Sequence, residues 1–210
     1  MEKTGVILAR LQPIHNGHLE LIKRSHQEND ETYVFIGSAD KFNKRNPIPI
    51  STRLDLTKRA IVDALSPELY KFIGETPDYT IQENIECDLH NLHIHVLPLD
   101  DLDDETNNSH EWGFYLYSKV VTATGNPNFT MYYSDGFEII TTWFPGFILR
   151  NNVSLSLLAR NSIENGISAT TVRQYIMDNN EAELRKVVPN VVYEHKEHLK
   201  TLIELSEKIK

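Results

Sequence analysis

The chain has 210 residues, with 21 lysines and arginines against 30 aspartates and glutamates. Its formal charge of −9 argues against a nucleic-acid or anionic-membrane surface, while leaving room for a local basic cluster that holds an anion. The length suits one α/β domain with a sizeable core and is too short for two full domains; the single cysteine, Cys87, excludes an intrachain disulfide framework or a cysteine-based zinc site.

Apolar runs alternate with amphipathic stretches along the chain, as βαβ units require, so the expected fold class is α/β with a doubly wound parallel sheet. The first strand is Gly5–Leu8, and a helix runs from His18 to His26 with Leu19 and Ile22 on one face. Between them stands Ala9-Arg10-Leu11-Gln12-Pro13-Ile14-His15-Asn16-Gly17-His18. At such a strand-to-helix turn, unpaired backbone N–H groups and the positive end of the helix dipole favour an anion. Gly17 lets a phosphate approach without a Cβ in the way, and His15 and His18 add donors. The second strand, Thr32–Ile36, leads into Gly37-Ser38-Ala39-Asp40 and a loop crowded with Lys41, Lys44 and Arg45; a helix follows over Ser51–Leu65.

Residues 66–89, with Pro67, Gly74 and Pro77, form an inserted helix and loop with no motif of their own. A third strand, Leu92–Leu97, carries His93 and His95 on one side, which is an ordinary strand pair without a third metal ligand at fixed spacing. The acidic run Asp100, Asp101, Asp103, Asp104, Glu105 reads as a solvated loop before a metal site. Next come a helix over Glu111–Val121 with Leu116 and Val120 on its buried face, a strand Phe129–Tyr133, a helical stretch Phe137–Phe144 and a strand Val153–Leu158. In Gly166–Ile176 a further helix starts, with Ser168 as N-cap; Thr170 and Arg173, three apart, share one face beside the dipole's positive end and make a second anion site. Two last helices, Ala182–Val188 and Val191–Ile209, are separated by Pro189, and His195 and His198 lie one turn apart on the second. Ligands of doubly wound sheets bind beyond the carboxyl ends of the strands, where His15, Ser38, Asp135 and Ser168 are expected to gather.

The pattern R-x-Q-P-x-H-x-G-H over Arg10–His18, with the distal I-S-x-T-x-x-R over Ile167–Arg173, resembles the nucleotidylyltransferase superfamily, which shares its H-x-G-H signature with the class I aminoacyl-tRNA synthetases. Gln12-Pro13, Gly37-Ser38-Ala39-Asp40, Asn46-Pro47 and Arg53 are similar to the nicotinamide-mononucleotide adenylyltransferases of archaeal and NadR-like type. Two departures stand out: the family usually has Gly-Arg-Phe-Gln-Pro where this chain has Ala9-Arg10-Leu11-Gln12-Pro13, which touches nucleotide affinity rather than chemistry.

The resemblance implies a Rossmann-like domain over 1–178, with 179–210 a helical extension of it, and adenylyl transfer from ATP, with Mg²⁺, to nicotinamide mononucleotide to give NAD and pyrophosphate. His15, His18 and Arg173 are the expected catalytic residues. Ala9, Arg10, Gly17, His18, Ile167, Ser168, Thr170 and Arg173 are expected to hold ATP; Ser38, Asp40, Asn46, Arg53 and Trp112 are expected to hold the acceptor, the tryptophan as a platform for the pyridine ring. No side chain is expected to ligate a metal. A cytoplasmic location is expected, since no secretory h-region follows Met1, and a homo-oligomer is compatible. The rivals are a transferase of the same fold using CTP or another phosphorylated acceptor, which Trp112 and Gln12-Pro13 disfavour, and a non-catalytic nucleotide-binding or sensing protein. Ala9 and Leu11 support the latter, while His15, His18, Thr170 and Arg173 weigh against it.

Overall fold

The computed structural model describes residues 2–66, 78–102, 109–134, 138–159 and 167–209. The apolar runs become β1 (Thr4–Ala9), β2 (Glu31–Ile36), β3 (Ile94–Pro98), β4 (Phe129–Ser134) and β5 (Val153–Leu158), all parallel in the order β3-β2-β1-β4-β5. β1 lies at the centre, and its neighbours Val6 and Ile7 are 0% and 1% exposed although they point to opposite faces. That double burial is why the strand reads as an unbroken apolar run instead of an alternating one.

Ten helical segments connect and cover the strands: α1 (Asn16–Glu28), α2 (Ile50–Leu65), α3 (Asp78–Asn91), α4 (Ser109–Thr124), a 3₁₀ turn (Glu138–Thr142), α5 (Gly146–Asn151), α6 (Ala169–Met177), α7 (Glu181–Val187), α8 (Asn190–Glu194) and α9 (Lys196–Ser206) among the described residues. Ile7, Val34, Ile36 and Ile94 pack with Ile22, Leu56, Ile61 and Val172 on one face of the sheet. Val6, Phe35, Met131 and Val153 pack with Leu116, Val120 and Ile148 on the other. The chain builds β1, β2 and β3 outward in one direction and then crosses back to add β4 and β5 on the other side, so the switch point lies between the carboxyl ends of β1 and β4.

Several boundaries differ from the sequence expectation, each for a local reason. α1 begins at Asn16, two residues before His18, and makes His15 its N-cap. β3 begins at Ile94 because His93 adopts a left-handed φ of 54° in the turn that leaves α3. Of the expected helix over Phe137–Phe144, Phe137 lies outside the described residues and the rest forms a 3₁₀ turn over Glu138–Thr142; Pro145 then stands as N-cap of α5, a helix that sequence reading missed. The expected helix over Val191–Ile209 breaks at His195, whose ring Nδ1 lies 2.7 Å from the Val191 carbonyl and competes for a helical acceptor.

The last three helices bury Leu184, Val187, Val191, Val192, Leu199 and Ile203 in the same cluster as α1 and α2. They are fastened by Tyr193, whose ring lies between Arg185 at 3.9 Å and Lys196 at 4.3 Å and whose hydroxyl donates to Glu181 at 2.7 Å. Among the described residues, no helix is long and apolar enough to cross a membrane.

Candidate functional site

The turn from β1 into α1 is held by hydrogen bonds from distant parts of the chain. Gln12 uses both ends of its amide on the Ile48 backbone, donating from Nε2 to the carbonyl at 3.3 Å and accepting the N–H at Oε1 at 2.9 Å. Arg173 of α6 donates from Nη1 to the Gln12 carbonyl at 2.8 Å and from Nη2 to Thr170 Oγ1 at 3.3 Å. Asn16 donates to the Lys186 carbonyl of α7 at 3.1 Å. Leu11, at φ 48°, turns its side chain into the core, so it contributes a buried wall where an aromatic ring was the family expectation.

Arg53 of α2 is 1% exposed, and its guanidinium is spent on backbone: Nη1 donates to the carbonyls of Arg10 and Gly37 and Nη2 to that of Ser38, all at 2.8 Å. This buckle ties the carboxyl ends of β1 and β2 together. Burial, assisted by the nearby charge of Arg10, lowers its pKa to about 10, and Asp101 and Asp40 hold it from falling further.

Within this frame the two histidines of the turn meet. The His15 N–H donates to His18 Nδ1 at 3.3 Å, which leaves the proton of a neutral His18 ring on Nε2, and the two rings stack with centroids 3.7 Å apart. Ser168 caps α6 as expected, accepting the Thr171 N–H at 3.1 Å. Burial depresses the pKa of both Arg10 and Arg173. Arg45 depresses Arg10 further and Arg10 depresses Arg173, with Asp101 giving Arg10 partial relief. Guanidinium groups that crowd one another in a partly buried place form a site complementary to an anion.

These groups face a cavity of about 630 Å³ beyond the carboxyl ends of β1, β2 and β4. Two tryptophans, Trp112 and Trp143, also line it. Trp112 is half-buried on α4, edge-to-face with Trp143 at 5.9 Å, and Tyr115 lies 5.4 Å from it. Gly113 permits this pairing, since a Cβ there would come within 1.9 Å of the Trp143 carbonyl oxygen. Also in the lining, Ser38 at φ 50° donates from Oγ to Asp101 Oδ1 at 3.0 Å, and the Asp101 N–H donates to Asp40 Oδ1 at 3.1 Å.

Of the residues expected from the sequence, Ala9, Arg10, His15, Gly17, His18, Ile167, Ser168, Thr170, Arg173, Ser38 and Trp112 all line this one cavity. Three acceptor candidates do not. Arg53 is behind the wall for the reason given, Asp40 props the Asp101 backbone, and Asn46 is buried in a turn where its N–H donates to Asn43 Oδ1 at 2.9 Å. Sequence reading had no signal for Trp143, left Arg45 as one of several loop cations, and took Asp101 as part of an acidic run that, as Leu99-Asp100-Asp101, stands where the resemblance puts a Pro-Asp pair ahead of the tryptophan loop; all three line the cavity. Asp135, Gly166, Asp103, Asp104 and Glu105 lie outside the described residues. Among the described residues, no group of three or more His, Cys, Asp or Glu side chains is placed to hold a metal ion.

The chain is similar to several known proteins. The nicotinamide-nucleotide adenylyltransferase of Thermococcus onnurineus is 27% identical over 146 residues, 67% of this chain and 63% of that protein. The phosphopantetheine adenylyltransferase of Lactococcus lactis subsp. cremoris is 32% identical over 81 residues, 38% of this chain and 47% of that protein. The chain therefore spans less than two thirds of the length of these curated relatives. The solved structure of a bifunctional NMN adenylyltransferase/ADP ribose pyrophosphatase from Francisella tularensis superposes with a TM-score of 0.61 at 16% identity, covering 97% of this chain and 52% of that one, and shows the shared fold. The profile of a family described as cytidylyltransferase-like matches residues 9–175, most of the chain and nearly every wall of the cavity, and the chain belongs to that family.

Proposed function

We propose that the protein is an adenylyltransferase that joins ATP and nicotinamide mononucleotide to give NAD and pyrophosphate. The observation that carries this reading is a single cavity with a cationic, donor-rich wall at the starts of α1 and α6, lined also by Trp112 and Trp143. The naming of the Thermococcus onnurineus relative supports the acceptor.

Nucleotidyl transfer asks little covalent chemistry of a protein and much positioning, together with donors aimed at the oxygens on which charge develops. A phosphate oxygen of the mononucleotide attacks the α-phosphorus of ATP in line, the bond to the bridging oxygen breaks, and pyrophosphate leaves. His18 donates from Nε2 to the α-phosphate and His15 supports it from the stacked ring. Arg10, Thr170 and Arg173 hold the β- and γ-phosphates, with Ser168 and the α6 N–H groups beside them. Ala9, Gly17 and Ile167 shape the nucleotide wall by close backbone approach. Trp112 and Ser38 bound the acceptor, with Arg53, Asp40 and Asn46 as positioning residues behind them. Mg²⁺ bound to the phosphates of ATP would supply countercharge to them. A cytoplasmic enzyme is consistent with a single, exposed cysteine, Cys87.

A second reading, transfer to another phosphorylated acceptor, is favoured by the match to the phosphopantetheine enzyme. The paired tryptophans weigh against it, because an aliphatic arm offers no ring to stack. Incubation with ATP, Mg²⁺ and a panel of phosphorylated acceptors, following pyrophosphate release, separates the readings. Release with pyridine mononucleotides alone supports the first, release with phosphopantetheine alone supports the second, and no release with any acceptor points to a non-catalytic binding protein.

A further inference from the structure

The turn that carries the two cavity histidines is gripped at both ends by consecutive helices. At its start, Arg173 of α6 donates to the Gln12 carbonyl at 2.8 Å. At its end, Asn16, half-buried at the first position of α1, donates from Nδ2 to the Lys186 carbonyl of α7 at 3.1 Å. His15, Gly17 and His18 line the cavity, whereas Asn16 between them does not.

The α7 carbonyl is open to a side chain for a local reason. Pro189 has no N–H to offer Arg185, the chain runs extended through Val188 and Pro189, and Asn190, four residues beyond Lys186, opens α8 instead of continuing α7. The Asn16 amide takes the Lys186 carbonyl at that end. α7 is itself a fixed anchor: Leu184 and Val187 are buried in the main core, the Asn180 N–H donates to the Tyr175 carbonyl of α6 at 2.9 Å, and Tyr193 of α8 holds Glu181. Both grips therefore come from one packed body, and Ile14 between them is buried, which leaves the turn no slack on its core side. What the second grip controls is the backbone of His15. Its N–H meets His18 Nδ1 at 3.3 Å, the contact that leaves the proton of a neutral His18 ring on Nε2. That distance is at the long end of hydrogen bonding, so a small backbone shift loses it.

We propose that Asn16 is a positioning residue for the transfer: by holding the Lys186 carbonyl it fixes the His15 backbone and, through it, the ring proton of His18. The helices after residue 178 then act on the reaction through this one side chain. The kinetic part of the proposal rests on the adenylyltransferase reading above; the ring tautomer does not. A preorganised donor works only if it is in place before charge develops, and a displacement of about 1 Å by a residue that never touches substrate can cost up to ~10²-fold in rate.

The test is Asn16→Ala and Asn16→Gln, with steady-state kinetics on ATP, Mg²⁺ and nicotinamide mononucleotide, a thermal melt, and ¹⁵N NMR of the histidine rings at about pH 8, where an ordinary imidazole is neutral. The His18 signals are identified by their loss in His18→Gln. Asn16→Ala should lower kcat by ~10-fold while the KM values for ATP and acceptor stay within about 2-fold, because aim is felt in the transition state. Its melting temperature should fall by no more than about 4 °C. The His18 ring should pass from the Nε2–H form to a mixture of tautomers. Asn16→Gln, which keeps an amide donor, should hold kcat within about 3-fold of the wild type. Unchanged kcat with a lowered melt in Asn16→Ala would make the hydrogen bond a structural fastener only. A raised ATP KM with an unmoved tautomer would put Asn16 in contact with the nucleotide. Either result overturns the proposal and leaves adenylyl transfer standing. Absence of wild-type turnover would remove the adenylyltransferase reading; the ring spectra then decide the positioning claim alone, a mixed tautomer in Asn16→Ala upholding it and an unmoved one overturning it.

Discussion

Two histidine pairs occupy opposite ends of the sheet and have opposite fates. At the amino end, His93 Nδ1 and His95 Nε2 each lie 2.8 Å from an oxygen of the Glu31 carboxylate, and Tyr33 stacks on His95 at 4.4 Å. At the carboxyl end, His15 and His18 stack on one another among Arg10 and Arg173, which crowd each other electrostatically. The first pair is closed on a protein carboxylate and fastens the β3 edge. The second stands in a field of positive charge that an anion would relieve. The same residue type, close in sequence in both cases, is closed on a protein carboxylate at one end of the sheet and, in the proposed function, serves chemistry at the other.

The sharpest way to break this contrast is Arg53, which lies near the cationic wall and yet behaves like the closed pair. Arg53→Met should lower stability by ~3 kcal/mol, because the buried carbonyls of Arg10, Gly37 and Ser38 lose their donor. Chemical denaturation checks it; an unchanged midpoint with a raised KM would instead put Arg53 in contact with substrate. His18→Ala tests the open pair and should depress turnover by ~10²-fold or more with an unaltered melt, as expected for a lost preorganised donor. Retained turnover removes the phosphate-site assignment.

Trp112→Ala addresses the tryptophan lining. Loss of stacking should raise the acceptor KM by a factor set by roughly 1–2 kcal/mol while the ATP KM barely moves. A large drop in melting temperature with an unaltered acceptor KM would make it a core residue only. Glu31→Gln gives the smallest effect: a part-exposed carboxylate clasping two exposed or half-exposed histidines should contribute under about 1 kcal/mol, with turnover unchanged. A turnover defect there would couple the two ends of the sheet and undo the contrast.

What sequence reading could and could not supply follows from the range of the interactions involved. β1 was legible because double burial forces a contiguous apolar run, and the parts of the cationic wall were legible because they are local: a cap at Ser168, a helix face shared by Thr170 and Arg173, histidines flanking Gly17. Arg53 looked like a ligand contact because nothing in a sequence distinguishes an arginine facing a cavity from one consumed by three carbonyls brought from β1 and β2. Trp143 reaches the cavity only through tertiary contact with Gly113 of α4 and carries no spacing signal, and the hydrogen bond of Asp101 with Ser38 is likewise a contact between distant parts of the chain. The helix break at His195 shows the same limit at smaller scale: periodicity predicts helix from Val191 to Ile209, and a ring nitrogen on the Val191 carbonyl decides otherwise.

In the proposed function the cationic wall directs attack at the α-phosphorus of ATP by the mononucleotide. The most direct test of this step is isotope transfer, using ATP labelled in turn at the α- and γ-phosphorus together with Mg²⁺ and nicotinamide mononucleotide. The account predicts α-label in the dinucleotide product and γ-label in pyrophosphate, in equal amounts and dependent on acceptor. Label appearing as AMP or orthophosphate, or release that is indifferent to acceptor, would contradict it.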